Sequence, residues 1–259
     1  MIIDASAYIG HWPFRRLRYN TAEGLITLMD RNGIDKAVVS SINAVFYKNC
    51  QEGNEELAEE IEPYRDRLIP FATLNPKYVA WREDLERCVK DLGMKGLRLY
   101  PLYHNYGLLE RESRELLSEA AKMGLPIEIP VMLVDPRQHH WMDLDRMLPL
   151  NQILEAAKQH PENTFIILNT KTVSPIIEGK QPVPKNVYVE MSRLTAVLTK
   201  SIQALISRIG VERVVFGTGI PFHYAKPALL KMEILDIEEE AKEAIYWKNM
   251  AKLLGLNAD

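Results

Sequence analysis

The sequence LPIEIPVMLV at residues 125–134 has the composition of a buried β-strand, because Glu128 is its only charged residue. It follows an amphipathic segment at residues 110–124, which has apolar residues at helical spacing and ends in Gly124. Similar apolar runs lie at residues 1–4, 36–42, 68–74, 94–101, 163–170, 186–193 and 212–219. Eight strand candidates that alternate with helical segments in 259 residues predict an α/β fold, the (β/α)8 TIM barrel.

A doubly wound parallel sheet is the alternative fold, because it is built from the same alternation of strands and helices. The number of strands and the absence of a Gly-x-Gly-x-x-Gly motif favour the barrel. We find no linker, repeat or low-complexity segment, so we expect residues 1–259 to form one domain. Residues 175–184 are expected to form a surface loop in place of a regular sixth helix, and residues 227–256 to add a C-terminal helix.

The charge balance and the cysteines exclude several classes of function. The chain has 32 Lys and Arg against 35 Asp and Glu, and it contains no basic run that would attract nucleic acid or an anionic membrane. Its apolar runs are far too short to span a bilayer. Cys50 and Cys88 have neither metal-binding nor redox spacing and indicate a reducing compartment. We therefore expect a cytoplasmic protein whose partner is a small molecule.

Most of the histidines follow predicted strands, where the active sites of TIM barrels lie. Of the 6 histidines, five occupy such positions: His11, His104, His139, His140 and His223. Polar residues are common in loops in any case, so a single histidine of this group carries little weight. Together they place candidate acid–base groups at the carboxyl ends of the strands.

Charged residues lie inside otherwise apolar strands, where burial without a partner would be costly, and they include Asp4, Arg98, Glu128 and Glu190. Arg98 and Glu128 are on neighbouring strands and form the obvious pair, while Glu190 lies on the seventh strand. One interpretation is an ion pair that fills the barrel core. The other is that Arg98 binds an anionic substrate group, since its planar guanidinium suits a carboxylate.

Six segments of the chain are similar to the landmarks of one protein family. They are IDASAYIG (3–10), MKGLRLYP (94–101), LPIEIP (125–130), NVYVEMS (186–192), VFGTGIPF (215–222) and NMAKLL (249–254). In order and spacing they resemble the amidohydrolase-related family of metal-dependent hydrolases and decarboxylases. The resemblance covers essentially the whole chain, and it implies the barrel fold.

The same resemblance implies a metal site that this sequence does not retain. The family uses a His-x-His pair after strand one, histidines after strands five and six, and an aspartate after strand eight. The matching positions here hold Ser6, Tyr8, Pro130, Asn169 and Gly219. Proline and glycine have no ligating side chain, and serine and tyrosine are poor ligands for a divalent transition metal. We therefore predict no metal and no other cofactor.

The favoured function is a metal-independent enzyme that hydrolyses a small carboxylated lactone, ester or amide, or decarboxylates an acid. Arg98 would anchor the substrate beside Glu128, and Tyr8 and Tyr100 would donate hydrogen bonds to a developing oxyanion. The candidates for the general base are His11, His140, His223 and Glu190. One alternative is a non-catalytic binding protein. A second is a metal site rebuilt from His11, His104, His140 and His223.

Basic residues in several loops predict a locally cationic pocket that takes a small anionic molecule. The loop HWPFRRLR at residues 11–18 is aromatic and basic, and Arg137, Lys171 and Arg193 follow strands five, six and seven. Asn169 and Thr218, at the ends of strands six and eight, are further candidate substrate contacts. The loop at 11–18 would equally suit a subunit interface, so a homo-oligomer stays open as an alternative.

Overall fold

Eight parallel strands form the centre of the computed structural model, which describes residues 1–179 and 182–256. Their bounds are β1 Ile3–Ile9, β2 Lys36–Ser41, β3 Leu68–Pro70, β4 Leu97–Arg98, β5 Ile127–Pro130, β6 Phe165–Leu168, β7 Val187–Glu190 and β8 Val214–Val215. Seven of these strands lie within the apolar runs of the sequence, and those runs are longer because several of them continue into the loops that follow. The exception is β1, which begins in the run at residues 1–4 and continues beyond it to Ile9.

The strands are hydrogen-bonded in sequence order, in one sheet of β1 to β3 and a second of β4 to β8. Parallel bridges join the two sheets at both edges, between Ala72 and Leu97 and between Ala7 and Ile220. At the second edge, Tyr8 N also donates to the carbonyl of Ile220 at 2.9 Å. This order and closure confirm the barrel, and the doubly wound alternative is wrong because such a sheet reverses its strand order part-way.

Helices connect the strands, and most of them bury an apolar face against the outside of the barrel. They are α1 Ala22–Asn32, α2 Asn43–Phe46, α3 Cys50–Glu60, α4 Trp81–Lys90, α5 Arg111–Lys122, α6 Leu150–Gln159, α7 Ser174–Ile177, α8 Ser201–Ile209, α9 Lys226–Ile234, α10 Glu239–Glu243 and α11 Asn249–Leu253. The first of them shows the local rules: the Thr21 side chain caps its amino end by accepting from Gly24 N, and Gly33 ends it at a φ of 66°.

Two elements depart from the predicted pattern. The sixth connection contains a helix of one turn, α7, where a loop was predicted; Lys180 and Gln181 of that loop lie outside the described residues. The predicted C-terminal helix is interrupted at residues 235–238, between α9 and α10, and a π-helical segment at Ala244–Lys248 joins α10 to α11. Asn249 Nδ2 donates to the carbonyls of Val211 and Val214 and so holds this tail against β8.

The interior of the barrel is layered from bottom to top. An apolar floor comes first and is closed from below by the C-terminal tail; it includes Ile3, Val38, Phe71, Ile166, Val215 and Met250. A polar layer around Arg98 lies above it, and aromatic side chains cover the carboxyl ends of the strands. Among the described helices, none is long and apolar enough to cross a membrane.

Candidate functional site

Arg98 is completely buried in the barrel, and protein acceptors take all five of its N–H groups. Its Nε donates to Glu128 Oε2 at 2.6 Å, and Nη1 donates to Ser40 Oγ at 3.1 Å. The other three N–H groups donate to backbone carbonyls, those of Ala7, Ala5 and Val38. The predicted ion pair with Glu128 is therefore present. In this arrangement Arg98 offers a ligand neither a free donor nor access, which argues against its predicted role as a substrate anchor.

A cavity of about 1130 Å³ opens beside the barrel axis, over the carboxyl ends of β5 to β8 and against the loop that follows β1. It is strongly cationic, because eight lysine and arginine side chains line it: Arg15, Arg16, Arg18, Arg137, Lys171, Arg193, Lys226 and Lys231. Asp135 is the one carboxylate among the lining residues of this cavity. The chain as a whole has a net charge of −3, so positive charge is concentrated here, as the loop sequences predict.

Asp135 organises one wall of this cavity and was missed by sequence reasoning. It accepts hydrogen bonds from Arg137 Nε at 3.0 Å, from Lys171 Nζ at 3.1 Å and from Arg193 Nη2. These bonds hold the pKa of the Asp135 carboxyl well below its usual range despite desolvation. The bonds from Arg137 lower the pKa most, followed by those from Arg193 and Lys171. Its signal in the sequence was the Asp-Pro dipeptide after β5, which begins a short helical turn at Pro136–Gln138.

His223 is the predicted histidine that lines the cationic cavity. Burial lowers the pKa of its imidazole to about 4, and the nearby cations Arg193, Arg15 and Lys171 act in the same direction. The imidazole is therefore neutral at physiological pH, and it can accept a proton. His11 is exposed, and His140 is stacked on Phe14 at a ring distance of 5.8 Å; neither residue lines this cavity.

Glu190 lies beneath the floor of the cavity and does not line it. Ser192, which does line the cavity, donates to the Glu190 carboxyl from both its backbone N and its Oγ, the latter at 3.0 Å. Asn169 N donates a third bond at 3.2 Å. Burial raises the pKa of Glu190 to about 7 although these bonds act in the opposite direction. Thr218, another lining residue, donates to buried Asp4 from its backbone N and its hydroxyl.

The raised pKa of Glu190 predicts how the free energy of unfolding depends on pH. A carboxyl whose pKa is 4.5 unfolded and about 7 folded stabilises the fold below pH 4.5, and this contribution is lost as the pH rises through 7. Glu190→Gln cannot ionise, so we expect its stability relative to the parent protein to increase by on the order of 2 kcal/mol between pH 5 and pH 8. Urea unfolding at both pH values measures the change. Exposed Glu83→Gln is the control, and parallel curves for Glu190→Gln and the parent would contradict the prediction.

Aromatic side chains fill the axis of the barrel at its mouth. We call this group the aromatic plug; its buried members are Tyr8, Trp12, Tyr100 and Phe222. The Trp12 ring lies 5.0 Å from Phe222 at 90°, and the Tyr8 ring lies 5.2 Å from Phe222 at 80°. Tyr8 is therefore fully covered. Tyr100 bonds Ser40 Oγ at 2.8 Å and lines a separate cavity of about 170 Å³ near the ends of β4 and β5.

A family model described as amidohydrolase matches residues 9–167, more than half of the chain. The chain belongs to the amidohydrolase family. This confirms the resemblance seen in the sequence, and the match runs from the end of β1 into β6. A comparison with curated protein sequences gives no significant match.

Solved structures similar to this amidohydrolase-family chain include several decarboxylases. A 2,6-dihydroxybenzoate decarboxylase in complex with 2,6-dihydroxybenzoate has 19% identity and a TM-score of 0.75, over 98% of this chain and 99% of that one. A dihydroxybenzoic acid decarboxylase from Polaromonas, with bound manganese and 2-nitroresorcinol, has 17% identity and a TM-score of 0.70, over 100% and 98%. A 5-carboxyvanillate decarboxylase from Sphingomonas paucimobilis has 13% identity and a TM-score of 0.72, over 99% of this chain and 99% of that one. At these identities the similarity concerns the fold.

The positions that would hold the amidohydrolase family's metal come together in this chain, but they do not fit a metal. Asn169 Nδ2 donates to Tyr8 Oη at 3.0 Å, and Ser6 Oγ lies 3.5 Å from the same oxygen. Burial raises the pKa of the Tyr8 phenol, which keeps it neutral and a poor ligand. Pro130 and Gly219 supply no side-chain donor. An amide–phenol–hydroxyl network therefore replaces the ligand set.

The alternative of a metal site rebuilt from loop histidines also lacks its geometry. Within residues 1–179 and 182–256, no group of three His, Cys, Asp or Glu side chains is placed to hold a metal ion. His104 shows why: it is half-buried against α2 and α3, where its Nε2 lies 3.2 Å from the carbonyl of Val45 and 3.9 Å from Cys50 Sγ. It does not line the cationic cavity that His223 lines, so these histidines do not converge.

Proposed function

We propose that this amidohydrolase-family protein binds a small anionic molecule, of the carboxylate class, in the cationic cavity and does so without a metal. The observation that carries the proposal is the lining of the cavity, in which eight cationic side chains face a single carboxylate. Two of the similar structures contain small aromatic acids or their analogues, 2,6-dihydroxybenzoate and 2-nitroresorcinol. These ligands support an aromatic carboxylate as the first compound to test.

Arg193 and Lys171 are the proposed carboxylate-binding residues. Their side chains are 17% and 34% exposed, so they are partly desolvated and still reachable from the cavity. Asp135 holds both of them on one wall, which reduces the side-chain entropy that a ligand would have to remove. A guanidinium in this setting binds a carboxylate through two parallel hydrogen bonds. The predicted contacts Arg137 and Thr218 line the same cavity.

His223 is the proposed proton acceptor for chemistry on the bound molecule. In the hydrolysis of a lactone, ester or amide, its neutral imidazole would take a proton from the attacking water. The oxyanion that forms would face Arg193 and Lys171, whose charges stabilise negative charge in a partly buried site. Because the pKa of His223 is about 4, we expect activity to be independent of pH from 6 to 8 and to fall only towards pH 4.

A non-catalytic binding protein is the second candidate function. The observation that favours it is the aromatic plug, which covers the barrel axis where this family's chemistry takes place. A cavity beside the axis can still bind a small molecule, but it does not use the positions at which the family binds its metal. Product formation separates this candidate from the enzyme.

Calorimetric titration with 2,6-dihydroxybenzoate, before and after treatment with EDTA, tests the proposal. We expect binding that EDTA does not change and that Lys171→Met and Arg193→Met each weaken about tenfold or more. The control is Arg111→Met, which removes the same single positive charge from the exposed outer face of α5. Binding that needs added manganese, or that neither cavity variant weakens, would refute the proposal. Incubation with a carboxylated ester, followed by NMR, tests catalysis separately: the parent protein should hydrolyse the ester and His223→Gln should not.

A further inference from the structure

The cationic cavity contains two groups of cations that come from different parts of the chain. We name Arg137, Lys171 and Arg193 the wall cluster, and Arg15, Arg16 and Arg18 the loop cluster. The wall cluster follows β5, β6 and β7, and Asp135 already supplies it with one negative charge. The loop cluster follows β1 and has no carboxylate of its own among the residues that line the cavity. One anionic group would therefore leave most of the positive charge unmatched.

One arginine of the loop cluster is bonded to the rest of the protein, and the other two are exposed. Arg15 Nη2 donates to the carbonyl of Phe222 at 3.1 Å, which ties the loop to the segment after β8. Its Nε is buried and has no hydrogen-bond partner. Arg16 and Arg18 are exposed, and neither forms an ion pair within the described part of the chain. A buried donor without an acceptor costs free energy, and a ligand oxygen would remove that cost.

His223 shows that both clusters face the same space. The charges that act on its imidazole come from Arg193 and Lys171 of the wall cluster and from Arg15 of the loop cluster. The cavity is also large, about 1130 Å³, which is slightly above the usual range of about 300–1000 Å³ for sites that bind drug-sized molecules. A single carboxylated ring would occupy one end of it.

We infer that the cationic cavity recognises a molecule with two separate anionic groups, one bound by the wall cluster and the other by the loop cluster. The inference rests on the proposed function and narrows its substrate class to dianions, such as a phosphorylated or phosphonylated carboxylic acid. The wall cluster takes the carboxylate. The arginines of the loop cluster bind the phosphate-like group, because one guanidinium can donate two parallel hydrogen bonds to two of its oxygens. Linking the two groups in one molecule makes the second contact intramolecular, which raises affinity.

Calorimetry with three probes at one ionic strength tests this inference: benzoate, phenylphosphonate and 4-phosphonobenzoate. We expect 4-phosphonobenzoate to bind about tenfold or more tightly than either probe with one anionic group. The double variant Arg16→Gln/Arg18→Gln should remove this gain, so that 4-phosphonobenzoate binds it no more tightly than benzoate does. The matched control is Arg111→Gln/Arg114→Gln, which removes the same charge from the exposed face of α5 and should keep the gain.

The outcomes separate the inference from the proposed function. If benzoate binds but 4-phosphonobenzoate binds no more tightly, the two-group inference is overturned and the proposed function stands. If both double variants lose the gain equally, the effect comes from overall charge, and the inference is again overturned. If no probe binds the parent protein, the proposed function fails and the inference fails with it.

Discussion

Replacing Arg98 with methionine is expected to lower the free energy of unfolding by about 3 to 5 kcal/mol. The change leaves Glu128 as an unpaired carboxyl in the centre of the barrel, and Ser40 and three backbone carbonyls lose their donor. Removal of one partner from a fully buried ion pair costs far more than the net contribution of the pair itself. Urea unfolding monitored by circular dichroism measures the effect.

Two further variants show whether the cost arises from the unpaired charge. Arg98→Met/Glu128→Leu replaces both charges with apolar side chains, and we expect it to be more stable than Arg98→Met alone. Arg111→Met breaks an ion pair with Glu115 on the surface, and it should change stability little because water screens that pair. Equal stabilities for Arg98→Met and Arg111→Met would show that Arg98 does not hold the core.

Replacing Trp12 with alanine is expected to cost about 3 to 5 kcal/mol of unfolding free energy. Trp12 is 2% exposed and is the central ring of the aromatic plug. Its centroid lies 5.0 Å from Phe222, and other rings lie close by: Phe14 at 5.2 Å, Phe46 at 5.3 Å and Tyr103 at 6.2 Å. The substitution leaves a cavity over Tyr8 that these neighbours fill only in part. Thermal and urea unfolding measure the loss.

The chain offers a matched tryptophan as the control. Trp141 belongs to the loop after β5 and is 81% exposed, so Trp141→Ala removes the same side chain without opening a cavity. We expect its stability to stay close to that of the parent protein. A Trp12→Ala variant as stable as Trp141→Ala would mean that the plug does not close the mouth of the barrel. The barrel axis would then be a candidate for ligand access.

The barrel could be predicted from sequence because each strand carries its own signal. The run at residues 125–134 shows the apolar composition of a strand with Glu128 facing inward, and β5 at Ile127–Pro130 lies within it. The pair of Arg98 with Glu128 followed from alternation along two neighbouring strands. The C-terminal tail was harder to predict, since bonds from Asn249 to residues more than 30 positions away hold it.

Of the site, only the positive charge of its lining could be predicted from the sequence. Arg137, Lys171 and Arg193 were expected to line a pocket, and they do, because residues that follow parallel strands meet at one end of the barrel. Asp135, which holds them together, was missed because its three partners come from three different loops. Among the candidate bases, only tertiary packing places His223 at the cationic cavity, stacks His140 on Phe14 and leaves His11 in solvent.

The sequence by itself determined the order of the strands, the family of the chain and the identity of the residues at the family's metal positions. These depend on local composition and on residue types, which can be read without coordinates. Only the tertiary structure decided which charged groups a ligand can reach. The N–H groups of Arg98 are all bonded to acceptors from β1, β2 and β5, Tyr8 is buried within the aromatic plug, and Arg193 remains partly exposed. Access depends on contacts between residues far apart in the chain, and no periodicity within one strand encodes them.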